Sequence, residues 1–438
     1  MSTMNNMQQF KERFDQQPIK PGSMLEPLRR NAFNAFNAMG IPTTRNEEWK
    51  YTRISSLFNK SFDLAQSIAV DETHISTLRL PGHEQSNELV FVNGIFSSEL
   101  SSIRSKALVV LPLEDAAEKE EYKDIIYKHL GHSSQYLRDG IHALNTAFMQ
   151  QGIFIQVKRG QLLEHPIYIY NIADARINNI LSQPRSLVHV AEAAQVQMVE
   201  TFATLGAQES FTSQVMEVVV EKDAIVDYYK IQNDASHTSQ VSTTHIRQVG
   251  KSVTYTVTIS LDGNIVRNNL NVVLEAAHCE AHLYGLYMQR GQSHIDNHTV
   301  VDNVQPNCES NELYKGIMDE GSTGVFNGKI FVRQPAQKTN AYQSNKNVLL
   351  SDAASINAKP QLEIFADDVK CSHGCTVGQL DEEGLFYLQS RGIGEKNAKA
   401  LLLHAFAVDI LEKIKLAPIR DYVDQLITER LELETITI

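Results

Sequence analysis

Cysteine is scarce in this chain of 438 residues. It occurs four times, at Cys279, Cys308, Cys371 and Cys375. Secreted proteins that depend on disulfides carry many cysteines in a short sequence, so this chain has no such framework. A chain of this length buries a hydrophobic core without cross-links. We therefore expect reduced thiols and a cytoplasmic location.

Basic residues are also fewer than acidic ones. The 40 Lys and Arg residues are outnumbered by 52 Asp and Glu residues, which gives a formal net charge of −12. The basic residues form no run. Nucleic acids and anionic membranes are bound mainly through clustered Lys and Arg side chains. The composition therefore predicts that neither nucleic acid nor a membrane surface is a partner.

Long apolar runs are absent as well. No stretch approaches the roughly 18 residues that a membrane span requires. The first residues, MSTMNNMQQFKERFDQQ, lack the basic and apolar segments of a signal peptide. Both observations agree with the cytoplasmic location expected from the thiols.

No phosphate-binding loop is present. The nearest stretch is GSTGVFNGKI at 321–330, which contains the pair Gly-Lys. In this stretch Thr323 occupies the place of the first glycine of the motif, and Ile330 occupies the place of its Ser or Thr. We therefore expect that this chain does not hydrolyse ATP.

Three regions of different periodicity follow one another along the chain. Residues 1–150 have mainly helical spacing of apolar side chains, with a short β-hairpin at 87–96 whose turn is Asn93-Gly94. Residues 151–380 are dominated by strands, and residues 381–438 return to helical spacing. We expect these regions to be an N-terminal mainly helical region, a β core and a C-terminal helical domain.

The β core favours a solenoid over a sandwich, a barrel or a propeller. Period-two alternation is frequent, as in VTYTVTISL at 253–261, and polar spacers rich in Asn, Ser and Gly separate the strands. We expect strands of about four to seven residues. A solenoid needs covered ends, and we expect the flanking helices to supply the caps.

Two His-rich strands are candidates for a metal site. Alternate residues share one face of a strand but lie ~6–7 Å apart, whereas Zn²⁺ ligands lie ~2.0–2.3 Å from the metal. A solvated face is therefore the favoured interpretation, although stacked coils could join the two sets and store metal. Cys279 should be a buried structural thiol, and Cys308 an ordinary loop cysteine. The two sets are His278, Glu280 and His282, and His294, Asp296 and His298.

The stretch CSHGC places Cys371, His373 and Cys375 on one face of an extended strand. The two cysteines would lie ~13 Å apart, which exceeds the ~7 Å between Cα atoms that a disulfide allows. A thiol and an imidazole alone make half a metal site. The missing half could come from another chain, or all three could be ordinary strand residues.

A longer pattern resembles a known family. KPQLEIFADDVKCSHGCTVGQLDEEGLFYLQSRGI (359–393) and the preceding 313–351 are similar to the SufB/SufD family of iron–sulfur cluster assembly proteins. Leu388 stands where SufB-like chains carry a cysteine, so the resemblance is to SufD-like members. It implies a right-handed parallel β-helix between helical regions. It also implies that Cys371 and His373 help to build a cluster at the interface with SufB.

The resemblance implies a non-enzymatic scaffold that pairs with a SufB-like chain through the β-helix. A SufC-like ATPase would dock on the C-terminal helical domain, and the isolated chain could form a homodimer. No cofactor would be held stably by this chain alone, and an iron–sulfur cluster would be present transiently at the partner interface. Two alternatives remain open: a cytosolic β-helix enzyme that acts on polysaccharide, and a homodimer that stores metal.

Overall fold

The computed structural model describes residues 3–16, 22–64 and 70–432. Residues 1–2, 17–21 and 65–69 of the predicted N-terminal region, and residues 433–438 of the predicted C-terminal helical domain, lie outside the described residues. The described helices are α1 (Thr3–Gln16), α2 (Glu26–Met39), α3 (Glu72–Ile75), α4 (Leu113–Glu118), α5 (Lys123–His129), α6 (Gly140–Ala147), α7 (Glu382–Ser390), α8 (Glu395–Leu411) and α9 (Ala417–Arg430).

Strands make up most of the chain between α6 and α7. The strands up to β10 are β1 (Asp63–Leu64), β2 (Asn87–Val92), β3 (Ile95–Ser102), β4 (Leu108–Pro112), β5 (Ile153–Val157), β6 (Ile167–Asp174), β7 (Ile180–Ser182), β8 (Arg185–Val190), β9 (Gln195–Leu205) and β10 (Ser210–Val220). The later strands are β11 (Ile225–Asn233), β12 (Ser239–Gln248), β13 (Val253–Asp262), β14 (Ile265–Leu274), β15 (Glu280–Gln289), β16 (His294–Asn303), β17 (Glu309–Met318), β18 (Thr323–Val332), β19 (Asn340–Leu349), β20 (Ser355–Ile364) and β21 (Lys370–Gly378).

These strands form a parallel β-solenoid of about eight coils, which confirms the predicted fold class. Each coil gives one strand to each of two sheets. The first sheet runs β20-β18-β16-β14-β12-β10-β8-β5-β4, and the second runs β21-β19-β17-β15-β13-β11-β9-β6-β2-β3. The strands from β9 onward have nine to eleven residues, so the expected length of four to seven was wrong.

Equivalent positions of successive coils stack inside the solenoid and form its core. One ladder in the first sheet pairs aliphatic side chains in register through six strands, so each methyl group is removed from water by the coil on either side. This stacking holds the coils together without any local repeat of sequence. The ladder consists of Val218, Ile246, Val272, Val301, Ile330 and Leu362.

The first end of the solenoid is closed by antiparallel strands. β3 pairs with β2 and β4 pairs with β5, both antiparallel. The predicted hairpin is confirmed, because Asn93 and Gly94 both have positive φ (50° and 83°) in the turn between β2 and β3. A Cβ at Gly94 would lie 2.5 Å from the backbone nitrogen of Gln183, so this position also requires glycine for space.

The flanking helices cover the broad faces of the solenoid. The N-terminal helices pack on the outer face of the first sheet, where Phe10, Phe33 and Phe36 share an apolar cluster with Phe211 of β10. The C-terminal helices α8 and α9 pack on the outer face of the second sheet. The expectation that helices cap the ends was therefore wrong for the last coil.

A buried ion pair fixes the N-terminal region to the first sheet. Glu217 of β10 accepts hydrogen bonds from the backbone nitrogens of Gly131 and Ser133, each at 2.8 Å. Arg185 of β8 donates to the same carboxylate at 2.5 Å, and both side chains are buried. A buried charge is stable only when an opposite charge and hydrogen bonds satisfy it, as they do here. This pair therefore determines the position of the segment 131–147 on the sheet.

Candidate functional site

The last coil carries the CSHGC stretch on an unprotected strand. β21 pairs with β19 on one side, and among the described residues no strand pairs with its other edge. β20 occupies the same position in the first sheet. We call β20 and β21, with the side chains that they direct inward, the open end.

The register of β21 decides which way its side chains point. Residues paired across parallel strands share a face of the sheet, and the β19 residues in these pairs are all buried in the solenoid interior. The three side chains of the stretch therefore face the interior at the open end, as one set on one face. The pairs are Ala341 with Cys371, Gln343 with His373, and Asn345 with Cys375.

Exposure differs along this set. Cys371 is half-buried and packs against the interior apolar cluster, whereas His373 and Cys375 are exposed. The Cys375 thiol lies 3.7 Å from the Asn345 side-chain oxygen, to which it donates. An inward-facing side chain is exposed here because no further coil in the described part of the chain covers it. The set is thus available to a second molecule that covers the open end.

The two thiols are free, and the strand between them is straight. β21 pairs with β19 without a register shift through Gly374, so the chain does not fold back to bring Cys371 and Cys375 together. Burial raises the pKa of the Cys371 thiol, against a smaller lowering by the backbone of Ala341. Burial also raises the pKa of Cys375. Both sulfurs are therefore protonated at neutral pH.

The rim around the set is apolar. β20 contributes the inward-facing Leu362 and Ile364, and β21 contributes Val377, which is 48% exposed. Phe365, directly after β20, is 56% exposed. Exposed apolar side chains beside unpaired strand edges mark a surface for strand pairing with another chain. The open end therefore combines the thiols and the imidazole with exposed apolar side chains.

The His-rich strands are engaged elsewhere. His278 lies in a turn with a positive φ of 63°, so it does not share the strand face that the sequence suggested. On β16, His294 contacts the Thr52 hydroxyl at 2.8 Å, and His298 contacts Asp296 at 3.0 Å. Across the described ranges no group of three or more His, Cys, Asp or Glu side chains is arranged to hold a metal ion.

The remaining cysteines lie inside the solenoid. Cys279, which is fully buried, occupies the turn before β15, as expected of a structural thiol. Cys308 lies in the loop before β17, but it is 1% exposed and so more buried than an ordinary loop cysteine. Neither sulfur reaches the surface at the open end.

Sequence reasoning missed two interior polar residues near the candidate site. Glu312 of β17 and Gln343 of β19 are stacked in register and are 4% and 3% exposed. Their polarity resembles that of the surface spacers, so hydrophobicity alone does not show that they point inward. The alternation of β19, whose inward positions include Gln343, Asn345 and Asn347, is the signal that could have found them.

A second exposed surface lies on the C-terminal helices. Phe386 and Tyr387 of α7 are 72% and 56% exposed, and they lie beside Glu382 and Glu383. α8 is anchored below them, because Lys315 of β17 donates to the Phe406 carbonyl at 2.8 Å. An exposed aromatic pair on an anchored helical unit suits a docking role.

Within the described ranges, no helix combines the length and apolar character needed to cross a membrane.

Comparison with known proteins gives matches along nearly the whole chain. Residues 172–406 match the family model described as the SufBD core domain of SUF system FeS cluster assembly. Residues 4–169 match the model of the SufBD protein N-terminal region. Together the two models span both the N-terminal region and the solenoid.

Individual relatives agree with the family models. An iron–sulfur cluster assembly SufBD family protein of Synechocystis is 31% identical over 416 residues, which are 93% of this chain and 91% of the relative. The iron–sulfur cluster assembly protein SufD of Escherichia coli is 30% identical over 426 residues, 94% of each chain. SufD of Bacillus subtilis is 23% identical over 336 residues, 73% of this chain and 72% of the relative. The chain therefore belongs to the SufBD family of SUF-system iron–sulfur cluster assembly proteins.

Proposed function

We propose that this chain is a non-catalytic scaffold subunit on whose open end an iron–sulfur cluster is built together with a partner chain. Cys371 and His373 are the ligands that it contributes. The observation that carries the proposal is the position of these two side chains, which share one face of the last strand at an unpaired edge. The cluster is the cargo of this site and is passed on.

The two side chains have the chemistry that iron requires. Thiolate and imidazole are ligands of iron–sulfur clusters, and the imidazole of His373 is exposed to an incoming metal. The raised pKa of Cys371 keeps its thiol protonated in the free chain. Iron displaces that proton on binding, so the sulfur becomes a ligand only when iron arrives.

The site is half complete, and its surroundings indicate what completes it. A second β-solenoid can pair its own last strands with β20 and β21, which satisfies the open edges and buries Ile364 and Val377. A SufB-like scaffold with further ligands is the partner that we propose. A homodimer of this chain would use the same edges and would offer only a second copy of the same ligands.

The C-terminal helical domain is the proposed dock for a SufC-like ATPase. Phe386 and Tyr387 of α7 would bury their rings in that partner, and α8 and α9 would transmit its movement to the second sheet on which they pack. This chain has no phosphate-binding loop of its own. ATP hydrolysis in the ATPase would then open and close the interface around the cluster. Free thiols at the site fit a reducing compartment, so we place this role in the cytoplasm.

Two single substitutions test the proposal. Cys371→Ala and His373→Ala should leave folding and co-purification with SufB-like and SufC-like partners unchanged, because both side chains lie at the open end and are not in the fully buried core. Iron and sulfide in the anaerobically purified complex should fall strongly. Ser372→Ala is the matched control, because Ser372 pairs with the exposed Tyr342 and faces outward. Full cluster content in both alanine variants would refute the proposed role.

A further inference from the structure

A line of polar side chains runs through the solenoid interior toward His373. Glu312 on β17, Gln343 on β19 and His373 on β21 occupy the same register position of three successive coils. Because in-register side chains of parallel strands share a face, all three point into the interior. Neighbouring strands lie ~4.8 Å apart, so Gln343 is the residue that lies directly beneath the histidine.

Only one of the two polar atoms in the side-chain amide of Gln343 has a hydrogen-bond partner among the described residues. Its amide nitrogen Nε2 donates a hydrogen bond to Glu312 Oε2 at 2.7 Å. Its carbonyl oxygen Oε1 is buried and, within the described part of the chain, has no hydrogen-bond partner. A buried acceptor without a partner costs ~1–3 kcal/mol. Such a group at a candidate site calls for a functional explanation.

Glu312 determines which way the amide of Gln343 is turned. An ionised carboxylate only accepts hydrogen bonds, so it holds Nε2 toward itself and leaves Oε1 free to face the other way. The facing strand β18 makes room for this arrangement, because a Cβ at Gly328 would collide with the Gln343 amide. The amide is therefore fixed on one side by a carboxylate and unpartnered on the other.

The surroundings of Glu312 are almost free of charge. Leu283 lies beside it on β15, and the Thr299 hydroxyl faces it from β16. Tyr314 on its own strand is ionisable, and its pKa is raised by burial and, to a smaller extent, by the charge of Glu312. Burial raises the pKa of Glu312 to about 7, against opposing effects of Thr299 and Gln343. Its charge therefore changes near neutral pH, and none of the described cationic side chains contributes to that pKa.

We propose that Gln343 and Glu312 are positioning residues for His373, with Gln343 Oε1 accepting one ring N–H of the histidine while the other ring nitrogen binds iron. The inference rests on the proposed function of His373. In the isolated chain His373 is exposed, and the proposed contact requires its side chain to lie over Gln343. A metal-bound histidine is normally oriented by a hydrogen bond of this kind, which fixes its tautomer.

The charge of Glu312 then regulates the site. When Glu312 is ionised, Oε1 of Gln343 is held available to the histidine. When Glu312 is protonated, its O–H donates to Oε1, the amide turns, and Nε2 competes with iron for the lone pair of the ring nitrogen. The affinity for Fe²⁺ should therefore fall more steeply below about pH 7 in the wild type than in Glu312→Gln, in which residue 312 does not titrate.

The test uses the complex of this chain with its SufB-like and SufC-like partners, titrated anaerobically with Fe²⁺ alone between pH 6 and 8. Gln343→Leu keeps the volume and removes the acceptor, and we expect Fe²⁺ affinity about 10–100-fold lower at pH 8. Glu312→Gln removes the titrating group, and we expect its pH profile to be flatter than that of the wild type. Ser344→Ala, on the outward face beside Gln343, should match the wild type.

Nuclear magnetic resonance of ring-labelled histidine measures the tautomer of His373. This quantity would not change if Gln343 had only a structural role. The His373 signals, assigned with His373→Ala, should report one tautomer in the iron-bound wild type and a mixture in Gln343→Leu. The inference would be overturned if Gln343→Leu and Glu312→Gln both kept the wild-type Fe²⁺ affinity, pH profile and tautomer while His373→Ala lost Fe²⁺ binding. That result would leave the proposed function of His373 intact. Unchanged Fe²⁺ binding in His373→Ala would overturn the proposed function and this inference with it.

Discussion

The two ends of the solenoid are built from the same repeating coil, but the interior is covered at the first end and exposed at the open end. At the first end, inward-facing Leu89 and Phe91 are 0% and 1% exposed, because β3 and β4 continue the core with antiparallel strands. At the open end, inward-facing Ile364 and Val377 are 41% and 48% exposed. The thiol of Cys371 and the imidazole of His373 lie at this exposed end. An exposed interior of this kind is suited to association with another chain.

The largest expected effect is a loss of stability at the first end. Phe91→Ala should lower the free energy of unfolding by about 3–5 kcal/mol, because the ring fills the closed core beside Phe96 at 5.8 Å. Val377→Ala at the open end should change it by less than about 0.5 kcal/mol. Urea denaturation of both variants measures the contrast. Equal losses would show that the two ends are equally packed.

Acid should destabilise the face covered by the N-terminal region. Burial lowers the pKa of His142 to about 4 and that of His245 to about 3, so both are neutral in the folded chain at pH 5. The unfolded chain protonates them near pH 6.5, so their stabilising contribution is complete above that pH and declines as pH falls. At pH 5 each should cost on the order of 2 kcal/mol.

Chemical denaturation at pH 7 and pH 5 measures this loss, and His245→Gln should make the difference between the two pH values smaller. His245 contacts His132 at 2.9 Å within the same buried layer, so glutamine retains a polar partner. An unchanged pH dependence in His245→Gln would show that acid acts elsewhere in the molecule.

Charge placed on the open end should break association without unfolding the chain. Ile364→Lys introduces an ammonium group where a partner solenoid would bury apolar surface, and we expect at least tenfold weaker binding of the SufB-like partner. Ile177→Lys is the control, because Ile177 is 63% exposed and lies between β6 and β7, away from the last coil. Sedimentation of the purified mixtures gives both affinities, and equal binding would exclude the open end as the interface.

The smallest effect concerns the ATPase. Phe386→Ala on α7 should weaken binding of the SufC-like partner about 5–30-fold and change the free energy of unfolding by less than about 0.5 kcal/mol, because the ring is 72% exposed. Tyr127→Ala on α5, with a side chain that is 81% exposed, should bind normally. If the two variants bind equally well, the ATPase docks elsewhere.

Sequence patterns were sufficient for the local features of the fold. Asn93-Gly94 predicted its turn from backbone preference alone, and period-two alternation predicted that the middle of the chain is built from strands. The choice of a solenoid needed the polar spacers and the family resemblance as well. The alternation also placed Cys371 and His373 on one face of β21. Each of these features depends on residues close in the chain, so a single sequence contains them.

Long-range register was not accessible in the same way. Glu312 and Gln343 are 31 residues apart and meet only because their coils stack. The placement of α8 and α9 on a broad face of the solenoid depends equally on distant partners, such as Lys315 beneath Phe406. Predicting caps from the order of elements failed, because order along the chain does not specify which surface a helix covers.

The most direct test of the central claim is to detect the nitrogen of His373 on a cluster in the assembling complex. This chain alone is prepared with ¹⁵N-labelled histidine and combined with unlabelled SufB-like and SufC-like partners, and an iron–sulfur cluster trapped on the complex is examined by pulsed electron paramagnetic resonance. We predict a ¹⁵N coupling that disappears in His373→Ala and persists in Ser372→Ala. A trapped cluster without any ¹⁵N coupling would contradict the claim that His373 at the open end is one of its ligands.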